Sequence, residues 1–271
     1  MLGASFCFAI MNALVKAASV RLHVAEIGFF RALVTLIILT PWLYYKRLPI
    51  LGSSHWLLFA RGALGFASLI LGFYSISKIA LADVTMLWKT SVLFTAFLSV
   101  ILLKEKVTFQ LLFYICLSFL GAILIIKPSF EILNVPGLAA LAAGLIVGFI
   151  AISLRQLSKT EHSLTIVWAF SFYTTILPVL FFYKHFVMPT SLELSILILL
   201  GSVGTVGQIF FTYAFRFAAA AQVQSFAFSE GVFAALIAWG YWGELPDIYS
   251  FTGAALIICS GVQILRVRAL K

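Results

Sequence analysis

Five stretches of this 271-residue chain run for about twenty residues without a charged side chain: 107–126, 132–154, 163–183, 194–215 and 248–265. The hydrocarbon core of a bilayer is spanned by roughly 20 apolar residues in a helix. With no water there to bond the backbone, a helix is the structure that satisfies its own N–H and C=O groups. Each run is closed by a cation, Lys127, Arg155, Lys184, Arg216 or Arg266, whose long stem can reach the headgroups. The runs therefore predict an integral membrane protein.

Five more apolar segments are interrupted by charge. They contain Lys16, Arg31, Arg61, Asp83 with Lys89, and Glu230. Together the two sets predict ten helices at 2–19, 26–45, 56–78, 82–103, 107–127, 135–154, 163–184, 194–215, 219–243 and 248–266. Ten spans use about 200 residues, so no separate soluble domain fits beside them. Composition agrees: 63% of residues are hydrophobic and 10% charged, against about 45–50% and about 25% in a soluble domain. That balance excludes a soluble enzyme, a disordered chain and a nucleic-acid-binding domain, so the net charge of +9 reads as topology. With the N-terminus inside, ten cations flank the cytoplasmic ends and four the other side. This predicts a cytoplasmic (inner) membrane protein with both termini in the cytoplasm. The first apolar segment reads as a span, not as a cleaved signal peptide.

The chain is similar to itself. At a constant offset of 139, Gly62 falls on Gly201, Gly65 on Gly204, Tyr74 on Tyr213, Ala82 on Ala221, Phe94 on Phe233 and Glu105 on Glu244. One more residue brings Gly121 onto Gly261. Each half, 1–130 and 131–271, then holds five helices. Because five is odd, the second half enters the membrane from the opposite side. The fold class expected is all-α, with ten transmembrane helices as two inverted five-helix repeats, the plan of many alternating-access carriers.

On these residues the chain resembles the drug/metabolite transporter superfamily, specifically its EamA-type members. The resemblance is carried by Glu26-Ile27-Gly28-Phe29-Phe30-Arg31, by Gly62 and Gly65 with Leu71-Gly72-Phe73-Tyr74, and by Ala80-Leu81-Ala82-Asp83. Leu93-Phe94-Thr95-Ala96 to Lys104-Glu105-Lys106 belongs to it, as does Ser229-Glu230-Gly231-Val232-Phe233-Ala234-Ala235 to Gly243-Glu244. Within the family the chain is similar to S-adenosylmethionine uptake carriers and to amino-acid exporters. Two departures stand out. Val92 and Gly231 occupy positions where family members often have Pro, so a kink there must come from Gly231 or be absent. Lys89 stands where most members have no charge.

A charge at bilayer depth costs at least about 2.5–3.5 kcal/mol and usually faces a cavity or a partner. Lys89 and Glu230 lie at similar depth in repeat-related helices, two positions apart in repeat coordinates. They are expected to face one central cavity, Lys89 for a substrate carboxylate or phosphate and Glu230 for an amine, pairing with each other when it is empty. Structural pairing alone is the competing reading. Arg31, Asn12, Trp88, Gln208, Gln222, Gln224, Tyr74 and Tyr213 complete the candidate cavity, with interhelical glue as the alternative for the neutral ones. Glu26 and Arg61 read as gating or salt-bridge residues, Arg61 as an anchor or inner gate near a helix end. Gly62 with Gly65, and Gly201 with Gly204, allow close helix approach, and Pro178 is expected to kink its helix. The cysteines Cys7, Cys116 and Cys259 read as small core residues. The four histidines map near loop ends and offer no metal spacing, and no cofactor is expected.

No catalytic cluster and no ATPase motif is visible, so the chain is not expected to be an enzyme. The expected function is secondary active transport of a small polar metabolite: an amino acid, S-adenosylmethionine or a similar zwitterion. The alternatives are export of drugs or toxic metabolites, and a membrane-embedded transferase. Expected partners are the solute, the lipid bilayer, and protons or a counter-substrate, in a monomer or homodimer.

Overall fold

The computed structural model describes residues 1–19, 21–50, 52–76, 78, 81–126, 134–242 and 248–266. Lys127, Gly243, Glu244, Arg268 and Lys271 lie outside the described residues, as do the side chains of Lys16, Asp83 and His185. Among the described residues the regular elements are all helical: α1 (Leu2–Ala18), α2 (Val24–Tyr45), α3 (His55–Ile76), α4 (Leu81–Lys89), α5 (Ser91–Leu102), α6 (Phe109–Ile126), α7 (Val135–Thr160), α8 (Ser163–Phe182), α9 (Ser191–Ala214), α10 (Ala220–Ser225), α11 (Ser229–Trp242) and α12 (Ile248–Arg266). Seven stretches are long and apolar enough to cross a bilayer; Leu2–Val15, Met86–Leu102 and Phe251–Arg266 are shorter apolar helices. Taking α4 with α5 and α10 with α11, the protein has ten helical spans in two inverted sets of five.

The packing follows the repeat. α3 lies on α7 as α9 lies on α1, and α2 lies on α9 as α8 lies on α3. α2 meets its own counterpart α8, α6 meets α12, and α5 meets α10. Exchanging spans for their counterparts returns most of the main contacts, as a pseudo-two-fold axis in the membrane plane requires, although α8 also lies on α9 where α2 and α3 make no comparable contact.

The fourth and ninth spans are broken, at equivalent places. α4 gives way to α5 at Thr90. α10 gives way to α11 through a 3-10 turn, Phe226–Phe228. A break at this depth is beyond the reach of water, so the protein must supply the donors for its carbonyls. Thr90 Oγ1 donates to the Leu87 carbonyl, and Ser229 Oγ donates to the Phe226 carbonyl at 2.6 Å. These two pairs are related by the offset of 139. The facing helix completes each break. Ser5 Oγ of α1 also donates to Phe226 O at 3.1 Å. Its counterpart Gly144 lets α7 close on Leu87 O, which would lie 2.9 Å from a Cβ there. The hydroxyls add to backbone bonds that the same carbonyls accept, from Thr90 N and from Ser229 N, and neither break falls at Val92 or Gly231. Val92 is fully buried inside α5, and a Cβ on Gly231 would have nothing within 4 Å.

Three other expectations change. α7 continues past Leu154 to Thr160, because Arg155 is drawn inward by protein partners instead of ending the helix. α4 and α5, expected as one helix over 82–103, are separate elements. Cys116 and Cys259 are exposed and only Cys7 is partly buried; a small apolar thiol gains nothing from the interior when the solvent is lipid.

α6 and α12 cross at Gly121 and Gly253. A Cβ on Gly253 would stand 2.5 Å from Gly121 O, and one on Gly121 2.7 Å from Gly253 O. Small residues at such crossings bring backbones together, and here they let Ser118 and Ser260 share a buried hydrogen bond of 2.6 Å. Gly253→Val should therefore force the helices apart at a cost of about 1–3 kcal/mol. The melting temperature of the detergent-solubilised protein should fall, whereas Gly240→Ala, on a helix face with no neighbour within 4 Å, should leave it unchanged.

Candidate functional site

The breaks place two charges at helix ends. Lys89 is the last residue of α4, where the partial negative charge of a helix C-terminus favours a cation. Glu230 lies in the first turn of α11, where the positive end favours an anion. The side chains meet across the repeats, with Lys89 Nζ 2.7 Å from Glu230 Oε2. Their side chains keep 11% and 18% of their accessible surface. Asn12 Nδ2 of α1 donates to the other carboxylate oxygen at 2.7 Å. Asn12 is itself exposed, so the cluster opens outward on this side. Three elements of three different spans thus converge on one carboxylate.

Around this centre the other candidates divide. Gln224 Nε2 reaches Ser91 Oγ at 3.4 Å, tying α10 to α5 behind the pair. The Gln224 side-chain carbonyl is buried with no hydrogen-bond partner among the described residues. Gln222 donates to Ile264 O at 2.8 Å and fixes α10 to α12, a structural contact. Trp88 lies flat against α3 where Gly72 has no side chain; a Cβ there would collide with the indole. Tyr74 and Tyr213 are not brought to the cluster. Both are more than 40% exposed, near the C-terminal ends of α3 and α9, and Tyr213 packs edge-on against Phe217.

A second group of polar residues lies between α2, α3, α8 and α9. Arg31 Nη2 donates to Gln208 Oε1 at 3.4 Å, one turn from a buried Thr35–Thr205 hydroxyl pair at 2.8 Å. Gly204 makes room for Arg31, whose Nε would lie 3.1 Å from a Cβ there. Arg61 is 3% exposed and stacks on Phe170, its Cζ 4.1 Å from the ring centroid. It is not part of a salt bridge among the described residues. Glu26, in the first turn of α2, is 1% exposed and accepts from Val187 N at 3.2 Å, with no salt bridge among the described residues. Both side chains are covered by protein, which residue numbering along a span does not reveal.

The ion pairs at the two ends of the bundle involve other residues. Arg155 Nε holds Glu105 Oε1 at 3.0 Å, and its Nη1 donates to Phe215 O at 2.7 Å. Glu105 in turn accepts from Ala220 N at 3.0 Å. This joins α7, the segment after α5 and the start of α10. On the opposite side Arg21 holds Glu193 at 2.7 Å, while Glu193 closes a capping box with Thr190. Sequence reading took Arg155 and Arg21 only as topology markers. The repeated Glu105 and Glu244 were the available sign that one of these acids had a fixed role.

Comparisons with known proteins agree with the architecture. The model of the EamA-like transporter family matches residues 1–127 and again 136–266. The pseudopaline exporter CntI of Pseudomonas aeruginosa is 31% identical over 267 residues, covering 98% of this chain and 94% of that protein. An S-adenosylmethionine uptake transporter of Rickettsia prowazekii is 26% identical over 244 residues, covering 90% and 83%. Solute carrier family 35 member G1 of Mus musculus is 27% identical, covering 94% and 74%. A solved crystal structure shares the fold with a TM-score of 0.85 over 99% of this chain and 98% of its own, at 16% identity.

A nearly buried ion pair costs most when one partner is removed alone. Lys89→Met and Glu230→Gln should each destabilise the protein more per site than the double variant does. A double-mutant cycle by equilibrium unfolding in mixed micelles should return a coupling of about 0.5–3 kcal/mol.

Proposed function

Because the chain belongs to the EamA-like transporter family, we propose that it is a secondary active transporter of a small polar zwitterion, such as an amino acid or S-adenosylmethionine, working by alternating access. The observation that carries this reading is the Lys89–Glu230 pair at 2.7 Å. It lies at the two helix breaks, where the halves meet. A carboxylate arriving at Lys89 and an amine arriving at Glu230 would replace each side chain's present partner. The site thus trades one ion pair for two, and neither charge is left bare. A neutral or purely apolar drug offers no such replacement, so it is disfavoured as the main cargo. Asn12 would hold the Glu230 carboxylate in place while the Lys89 contact opens.

In this reading residues 1–130 and 131–271 are the two bodies that rock about the pseudo-axis. The excess of basic residues on one side puts both termini in the cytoplasm, across the inner membrane. Export has support from CntI, whose name is that of an exporter, and uptake from the Rickettsia transporter. The pair serves either direction, because exchange of ionic partners is symmetric in time. A proton or a counter-substrate is the coupling species the site could accept in place of the solute. The chain acts as a monomer or a homodimer.

Purified protein in proteoliposomes should take up a labelled zwitterion from an amino-acid and S-adenosylmethionine panel, with and without a pH gradient. Lys89→Ala and Glu230→Ala should each lower the initial rate at least tenfold in protein shown to be folded and inserted. Wild-type rates in both variants would sink the assignment of the pair to the solute.

A further inference from the structure

Arg61 is a buried cation with no anion. It is 3% exposed, yet its Nε and Nη1 have no hydrogen-bond partner among the described residues. No carboxylate stands within ion-pair distance of it among those residues. Arginine does not relieve this by losing its proton. Arg31 does not relieve it either: it carries the same charge and, among the described residues, has a single long bond to the neutral Gln208. Lys89, by contrast, is matched by Glu230. Among the described residues neither Arg61 nor Arg31 has an anion of its own.

The geometry of Arg61 also says what shape the missing group has. Phe170 covers one face of the guanidinium at 4.1 Å. Gly65 provides the space for Nη1, which would be 2.8 Å from a Cβ there. With the ring on one side, the two free donors, Nε and Nη1, lie on different edges of the guanidinium. An oxyanion bound at either edge makes a charge-assisted hydrogen bond, and a carboxylate is such a group. Arg31 in turn lies near α1: a Cβ on Gly204 would be 3.1 Å from both Arg31 Nε and Met11 Sδ.

We infer that Arg61 is an anion subsite that takes a carboxylate of the solute remote from the amine at Glu230, so that the cargo carries more than one acidic group. Its role in carrying cargo rests on the transport reading; the binding of an anion there does not. Arg61 is enclosed between α3 and α8, which favours a soluble carboxylate over a lipid phosphate.

The test uses the full chain in nanodiscs of pure phosphatidylcholine, titrated with glutarate, a dicarboxylate without an amine. Glutarate should raise the melting temperature of the wild type. Its dissociation constant should rise at least tenfold in Arg61→Gln and stay within about twofold in Gly240→Ala, where a Cβ meets nothing within 4 Å. Should Arg61→Gln not fold, Gly65→Ala, whose new methyl presses on Nη1, should weaken glutarate several-fold. Equal glutarate binding by wild type and the Arg61 or Gly65 variants, or none by the wild type, would overturn the subsite. So would stabilisation that depends on added phosphatidylglycerol and not on glutarate, which would make it a lipid site. Arg61-dependent glutarate binding without zwitterion transport would keep the subsite and remove the transport reading. Transport with Arg61-independent glutarate binding would do the reverse.

Discussion

A helix interrupted in the middle of a membrane must keep its carbonyls bonded within the protein, and the structure depends on how two such interruptions are held. Thr90 and Ser229 take Leu87 O and Phe226 O within their own turns. Each break thereby becomes a stable feature in a medium that offers no water. Once the helices are broken, their ends lie at bilayer depth and their partial charges favour Lys89 on one and Glu230 on the other. Without the breaks both ions would sit in helix interiors, away from any helix end. The ion pair is therefore a consequence of the backbone as much as of the side chains.

The distribution of interaction strength follows from burial. The Lys89–Glu230 pair keeps little exposed surface, so removing one partner strands the other. Arg21, at one end, keeps 46% of its side-chain surface in its pair with Glu193. Pairs of that exposure contribute about 0–1 kcal/mol. The Arg21–Glu193 contact thus costs little to break, while the central pair, and to a lesser degree Arg155–Glu105 at 22% and 17% exposure, cost more to leave unpaired. A partner exchange at the centre and a loose contact at the periphery are compatible with two bundle arrangements of similar energy.

Most of the architecture was legible in the sequence. Charge-free runs closed by cations set the spans within a few residues, and the offset of 139 set the inverted pairing of α6 with α12 and of α2 with α8. The site was legible as far as the pair Lys89 and Glu230, because a charge in an apolar run stands out. The helix breaks were not, because single hydroxyls at Thr90 and Ser229 mark them, and membrane helices carry many hydroxyls that merely bond the preceding turn, as Thr95 and Thr174 do. Burial was not legible either: Arg61 and Glu26 lie near span ends but are covered by neighbouring elements. Tyr74 and Tyr213 agree in the repeat because they occupy equivalent places near helix ends.

The scaffold is nearly symmetric and its polar lining is not. At the offset of 139, Lys89 matches Phe228, Ser91 matches Glu230, Arg61 matches Leu200 and Arg31 matches Phe170. The cations all belong to the first half and the acid to the second. One packing device nevertheless serves both halves, since Gly204 receives Arg31 where Gly65 receives Phe170. An exchange of the two halves would preserve helix contacts, which depend on small residues at equivalent places. It would not exchange the charges. Symmetry of the backbone can then keep two arrangements close in energy, while asymmetry of the lining gives both arrangements the same set of charges to present. The two demands on such a protein, two states and one solute, are met by different residues of the same helices.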